Sequence, residues 1–140
     1  MSLKLHTELC SHLKPEKKWH RLRKNRSFQQ VYQKGRYFSN QALVLYCLPK
    51  SNSRLSLMGF AVARKTGNAP KRNRLRRQLR EITRINNTDL PAYGYDLILM
   101  SRLTAINYSY LQLTEAYLQL LQRMKLWLQE KAVTTAKGRK

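Results

Sequence analysis

Residues 41–49, QALVLYCLP, and 55–63, LSLMGFAVA, are apolar at successive positions rather than alternate ones. A strand with one wet face alternates apolar and polar residues with period two. A strand that is apolar throughout needs cover on both faces, or a ligand against one of them. The chain is therefore bound to a layered fold, with a small sheet packed by helices. Pro49 and the KSNS cluster at 50–53 separate the two runs, so 41–63 is expected to form an antiparallel hairpin. A shorter strand is expected around Tyr37–Ser39, and YDLILMS (95–101) reads as a further buried strand.

Three segments carry helical spacing. In NRSFQQVYQKG, Phe28, Val31 and Tyr32 fall at i, i+3, i+4. Asn25 or Ser27 is expected to cap its start, and Gly35 to stop it. The second segment, GNAPKRNRLRRQLREI (67–82), has Pro70 near the first turn, and Asn86–Asn87 with Asp89–Pro91 to close it. The third, about Tyr108–Glu130, is expected to bury Leu111, Ala116 or Tyr117, Leu118, Leu121, Met124 and Leu128. The expected fold is α+β in the order α-β-β-β-α-β-α, a small sheet of about four strands with three helices. One domain over 21–130 is expected between a basic N-terminal arm, 1–20, and a basic flexible tail, 131–140. No role follows for Trp19.

Twenty-eight Lys and Arg against seven Asp and Glu give a net charge of +21. Self-repulsion of that size destabilises a free protein and points to a polyanionic partner. Because the charge recurs along the chain, nucleic acid leads over a membrane surface or an acidic protein. Cys10 and Cys47, with His6, His12 and His20 confined to the N-terminal stretch, make neither a disulfide framework nor a metal-ligand cluster. Cys47 reads as a small buried hydrophobe. No signal peptide and no membrane-length apolar run is visible, so a cytoplasmic, reduced protein is expected.

The second helix decides what kind of polyanion fits. Leu75, Leu79 and Ile82 form a narrow apolar stripe. Asn73, Arg76, Arg77, Arg80 and Arg84 project from the other side, with Arg74 on one flank and Arg72 close to the stripe. A helix charged only for solubility would interleave acids at i, i+4. Glu81 is the single acid between Ala69 and Thr88, where seven residues are Lys or Arg. Arginine's planar fork grips phosphate at two points, and the helix N-terminus adds a further anion site. The stripe is too narrow to insert into a membrane, and no helix-turn-helix, zinc-finger or basic-zipper spacing is present.

Arg72-Asn73-Arg74 opening a basic helix, and the F-x-x-V-[FY]-x-x-G pattern at Phe28, Val31, Tyr32 and Gly35 ahead of the strand LVLY, together resemble the protein component of bacterial ribonuclease P. The likeness runs from about Leu22 to Leu128 with the elements in the expected order. It implies a two-layer sandwich like one domain of a small-subunit ribosomal protein, with a left-handed crossover around the basic helix. Physical rules alone favour a right-handed one.

The resemblance also implies a function. Such a protein joins a catalytic RNA and helps remove the 5′ leader of precursor tRNA, with Mg2+-assisted hydrolysis carried by the RNA and no catalytic residue or metal site in the protein. Arg72, Asn73, Arg74, Arg76, Arg77 and Arg80, with Lys65 and Asn68 in the preceding turn, would face RNA. Phe28, Tyr32 and Tyr46 would line a cleft for the single-stranded leader, with Val31 packing inward. The partners implied are the catalytic RNA and precursor tRNA, with a monomeric protein and no membrane. The competing reading is a structural ribosomal or RNA-chaperone protein with no processing role. The long N-terminal arm departs from the family pattern, and Ala61 and Ala63 offer no hydroxyl to a nucleic acid.

Overall fold

The computed structural model describes residues 19–50, 54–86, 90–91 and 93–138, the last eight as backbone only. In chain order the elements are β1 (Trp19–Arg21), α1 (Asn25–Lys34), β2 (Arg36–Ser39), β3 (Leu43–Pro49), β4 (Ser56–Val62), α2 (Ala69–Ile85), β5 (Tyr95–Ser101) and α3 (Tyr110–Gly138). Short 3-10 turns at Arg64–Thr66 and Leu103–Asn107 precede α2 and α3. The five strands form one mixed sheet in the order β1-β4-β5-β3-β2.

The expected hairpin over 41–63 does not form. β5 lies between its two strands, antiparallel to β3 from Leu43↔Ser101 to Pro49↔Tyr95, and parallel to β4 from Leu57↔Asp96 to Val62↔Ser101. YDLILMS is the most continuously buried strand, so its backbone groups need partners on both sides. A β3–β4 hairpin would have left it on an edge with half of those groups unpaired. β4 and β5 are therefore joined by a crossover that carries α2.

The two faces of the sheet have separate cores. On one face Leu43, Leu45 and Cys47 of β3, Met58 of β4, and Leu97 and Leu99 of β5 meet Leu75, Leu79 and Ile82 of α2. α3 joins the same core through Leu113, Ala116, Tyr117, Leu120, Leu121 and Met124. On the other face Val31 of α1 and Leu22 close over Ile98, flanked by Phe28, Tyr46, Leu48, Leu57 and Ala61. The two-layer sandwich expected from sequence thus gains a partial third layer. This meets the demand set by strands that are apolar on both sides.

The fifth strand, β1, has no periodicity to announce it, and its first two residues fall in the stretch expected to be an arm. Trp19 is 2% exposed in the main core, edge-on to Phe60 at a centroid distance of 5.7 Å. Residues 1–18, where Cys10 and two of the histidines fall, lie outside the described residues. Cys47 is buried, as its sequence context suggests.

Two helices differ in detail from expectation. Leu111 and Leu118, assigned to the core by spacing, are 67% and 42% exposed, while Leu113 and Leu120 are buried in their place. Leucines occur around the whole circumference of α3, so a 3.6-residue period alone does not choose the face. The backbone of α3 also continues to Gly138, into the segment expected to be a flexible tail. In α1, Lys24 occupies the N-cap with no side-chain cap, and neither Asn25 nor Ser27 fills that role. Gly35 does end α1, but with a negative φ of −76°. A glycine fits there for lack of room, because a Cβ would stand 2.5 Å from the Val31 carbonyl oxygen.

Truncating Trp19 removes a large ring from this core. Trp19→Ala is expected to cost about 3–5 kcal/mol in urea unfolding. A loss below about 0.5 kcal/mol would mean that the indole lies outside the core.

Candidate nucleic-acid interface

α2 begins where Asn68 leaves the helical backbone and turns its side chain onto the first turn. Its Oδ1 accepts from the Lys71 N–H at 3.1 Å, and Pro70 occupies the first turn, where no N–H is missed. Leu75, Leu79 and Ile82 are buried as the stripe required, anchoring the helix to the sheet. Thr83 is buried beside them, its hydroxyl donating to the Leu79 carbonyl at 2.9 Å.

The cations expected on one RNA face sit in different local settings. Arg72 is turned back on its own turn, its Nη1 donating to the Gly67 carbonyl at 2.9 Å and the Arg64 carbonyl at 3.4 Å. Arg76 donates to the Asn73 Oδ1 at 3.0 Å, so Asn73 orients an arginine and both stay accessible to a ligand. Arg74, Arg77 and Lys65 are exposed and enter no intramolecular hydrogen bond or ion pair among the described residues. Arg84, further along, is tied to Glu81 at 2.7 Å. That pair and Lys50–Asp96 are the ion pairs formed among the described residues.

Arg80 differs from its neighbours. Its Nε is buried with no hydrogen-bond partner. Burial, and then the charges of Arg21 and Arg76, push its guanidinium below the usual arginine range. Arg21 comes from β1 and was not among the residues expected to bind. Its sequence signal, a basic residue within WHRLRK, is indistinguishable from the rest of a basic arm.

The aromatic residues meet on the opposite face of the sheet. Phe28 lies 6.4 Å from Tyr32, Tyr32 stands edge-on to Tyr46 at 4.9 Å, and Tyr46 lies 5.9 Å from Tyr37. Tyr37 was not expected at the site, and it arrives because β2 pairs Tyr37 directly with Tyr46. Gly59 makes room at the other end, where a Cβ would stand 2.6 Å from the Phe28 Cζ. Val31, one position before Tyr32, is fully buried. Tyr32 and Tyr37 remain 38% and 62% exposed, so the track presents ring surface to solvent and is not plain core. Burial, reinforced by Tyr46, raises the Tyr32 phenol above its ordinary range, so the ring stays neutral at physiological pH.

The track and the basic helix meet at one cavity of about 530 Å3, lined by Phe28 and Phe60 together with Arg21, Arg76 and Arg80. A second cavity, of about 700 Å3, extends the basic surface past Arg23, Lys24 and Arg54 to Lys50, which pairs with the buried Asp96 at 3.5 Å. Burial raises the Asp96 carboxyl above the usual range, and Lys50 opposes the shift. Among the described residues no three His, Cys, Asp or Glu side chains group so as to hold a metal ion, and no helix is long and apolar enough to cross a membrane.

Residues 17–125 match the sequence family described as Ribonuclease P. The chain belongs to that family. It is 38% identical over 106 residues to the ribonuclease P protein component of Alkaliphilus oremlandii, covering 76% of this chain and 91% of that one. It is 36% identical over 105 residues to that of Natranaerobius thermophilus, covering 75% and 90%. The RNase P protein of Staphylococcus aureus superposes with a TM-score of 0.69 at 28% identity, over 76% of this chain and 95% of that structure. That of Thermotoga maritima gives 0.66 at 30% identity, over 74% and 96%. The ribonuclease P match takes in β1, so Trp19 and Arg21 lie within the family segment.

Because Asn68 is committed to the helix cap, Asn68→Ala is expected to cost about 1 kcal/mol of stability in the absence of any RNA. An unchanged unfolding midpoint would show that the cap contributes nothing.

Proposed function

We propose that this chain is the protein subunit of a ribonuclease P. It binds a catalytic RNA and the 5′ leader of precursor tRNA, and so promotes endonucleolytic release of the leader. The observation that carries this reading is the meeting, in a chain of this family, of an arginine face with too few acids and an exposed aromatic track at one cavity. Double-stranded RNA hides its bases, so ring surface is useful only to an unpaired strand. A leader is such a strand, and stacking supports it by roughly 1–3 kcal/mol per base. Arg74 and Arg77, whose side chains no described residue engages, supply phosphate contacts to the structured RNA, with Lys65 and Arg76 alongside.

Hydrolysis in this reading belongs to the RNA subunit together with its Mg2+. The side chains of this protein bind, orient and neutralise. The reaction places the protein in the cytoplasm, acting as a monomer on its RNA partner. Membership of this family sets aside the structural ribosomal or chaperone reading, which has no use for a leader track.

The protein is expected to stimulate 5′ maturation of precursor tRNA by a bacterial-type catalytic RNA at low Mg2+. No stimulation under those conditions would contradict the assignment. Arg74→Ala combined with Arg77→Ala is expected to weaken binding to that RNA and to flatten its salt dependence by about one unit per lost phosphate contact. An unchanged slope would mean that this face of α2 does not dock on RNA.

A further inference from the structure

The two halves of the aromatic track come from different elements. Phe28 and Tyr32 ride on α1, and Tyr46 on β3. The edge-on contact of 4.9 Å between Tyr32 and Tyr46 therefore depends on how α1 is seated on the sheet. Its apolar seat is slight. Of the ten residues of α1 Val31 alone is buried, no side chain caps the start, and the first turn holds no acid. A helix held by so few contacts belongs to the low-stability end of a fold.

Lys50 supplies a second seat. It follows Pro49, the last residue of β3, and its N–H donates to the Gly94 carbonyl at 2.7 Å, just ahead of β5. Its Nζ donates to the Gln30 Oε1 of α1 at 3.0 Å and stands 3.5 Å from the Asp96 Oδ2. Asp96 is 5% exposed and shares a face of β5 with Ile98, over which Val31 closes. A carboxylate so buried is rare unless it is paired. It is also the one carboxylate among the described residues that line the cavity of about 700 Å3. An ammonium has three donors on a flexible stem, so one nitrogen can serve the carboxylate and the amide together. Gln30 stands two residues from both Phe28 and Tyr32.

We infer that Asp96 and Lys50 are positioning residues for the leader track. The buried carboxylate holds the Lys50 ammonium, and through Gln30 the ammonium holds α1 where Tyr32 meets Tyr46. Lys50 ends the strand that carries Tyr46 and grips the helix that carries Tyr32, so it sets the spacing between the two halves. Neither Lys50 nor Asp96 has to touch RNA to do this. The inference rests on the leader-binding role proposed above and gives a part in it to a pair outside the arginine face.

The first measurement is amide hydrogen exchange of α1, followed by NMR in the free full-length protein. Gln30→Met keeps chain length and helix propensity but removes the acceptor. Gln30→Met and Lys50→Met are each expected to speed exchange across α1 by about threefold to tenfold, as loss of one hydrogen bond would, and to leave α2 unchanged. The two together are expected to do no more than Lys50→Met alone, because Gln30 acts through Lys50. Gln30→Glu, which keeps the acceptor, is expected to exchange no faster than the parent. In the reconstituted complex, Gln30→Met and Lys50→Met are each expected to weaken leader-bearing precursor tRNA by a similar factor and to leave mature tRNA alone. Unchanged exchange in α1, additive effects of the two substitutions, or equal losses for precursor and mature tRNA would each overturn the inference. So would a salt slope flattened by about one unit in Lys50→Met, which would make Lys50 a direct phosphate contact. All of these results leave the proposed function standing. A parent protein that fails to stimulate tRNA maturation would remove that function instead, and the exchange rates would then decide the seating of α1 by themselves.

Discussion

Pairing of β5 with β3 on one side and β4 on the other decides where each helix must lie. The β4–β5 pair is parallel, so the chain between them has to cross from one end of the sheet to the other, and α2 is that crossing. Leu75, Leu79 and Ile82 hold α2 on the face it shares with α3. The opposite face is left to α1, a helix of ten residues. A helix that short covers Ile98 through Val31 but leaves ring surface uncovered at Tyr32 and Tyr37. The aromatic track therefore runs from Phe28 and Tyr32 on that short cover onto Tyr46 and Tyr37 of the sheet beside it.

Electrostatics adds the second constraint. With 28 Lys and Arg against seven Asp and Glu, the cations far outnumber their possible acidic partners; among the described residues Lys50 pairs with Asp96 and Arg84 with Glu81. Some arginines are quieted locally, as Arg72 is by the Gly67 carbonyl and Arg36 by stacking between Phe38 and Trp127. Among the described residues Arg74, Arg77 and Arg80 are not, and in the proposed function a bound polyanion relieves their repulsion. Stability and binding are thus linked through the same side chains.

Much of this was legible before the fold was seen, where the signal was local. The Leu75–Leu79–Ile82 stripe and Pro70 in the first turn of α2 follow from periodicity and turn chemistry, and the inward Val31 beside an outward Tyr32 was implied by the family resemblance. What escaped depended on pairing between distant segments. β1 has three residues and no pattern, so Trp19 had no role and Arg21 no place. Tyr37 was on an expected strand, but its position beside Tyr46 is fixed only by the β2–β3 register. The missing hairpin arose because adjacency in sequence favoured β3 with β4, whereas backbone satisfaction of a fully buried β5 favoured insertion between them. Asn68 and Arg72 were expected to face RNA because the resemblance implies it. Their own hydrogen bonds show a local structural commitment that sequence does not reveal.

The central claim is that the uncovered ring track receives an unpaired leader. Its most direct measurement is site-directed photo-cross-linking in the reconstituted complex, with an aromatic cross-linker at Tyr37 and, separately, at Leu118 on the outer face of α3. The account predicts cross-links from Tyr37 to leader nucleotides of precursor tRNA, none to mature tRNA, and none to the leader from Leu118. Leader cross-links of equal yield from both positions, or from Leu118 alone, would contradict it.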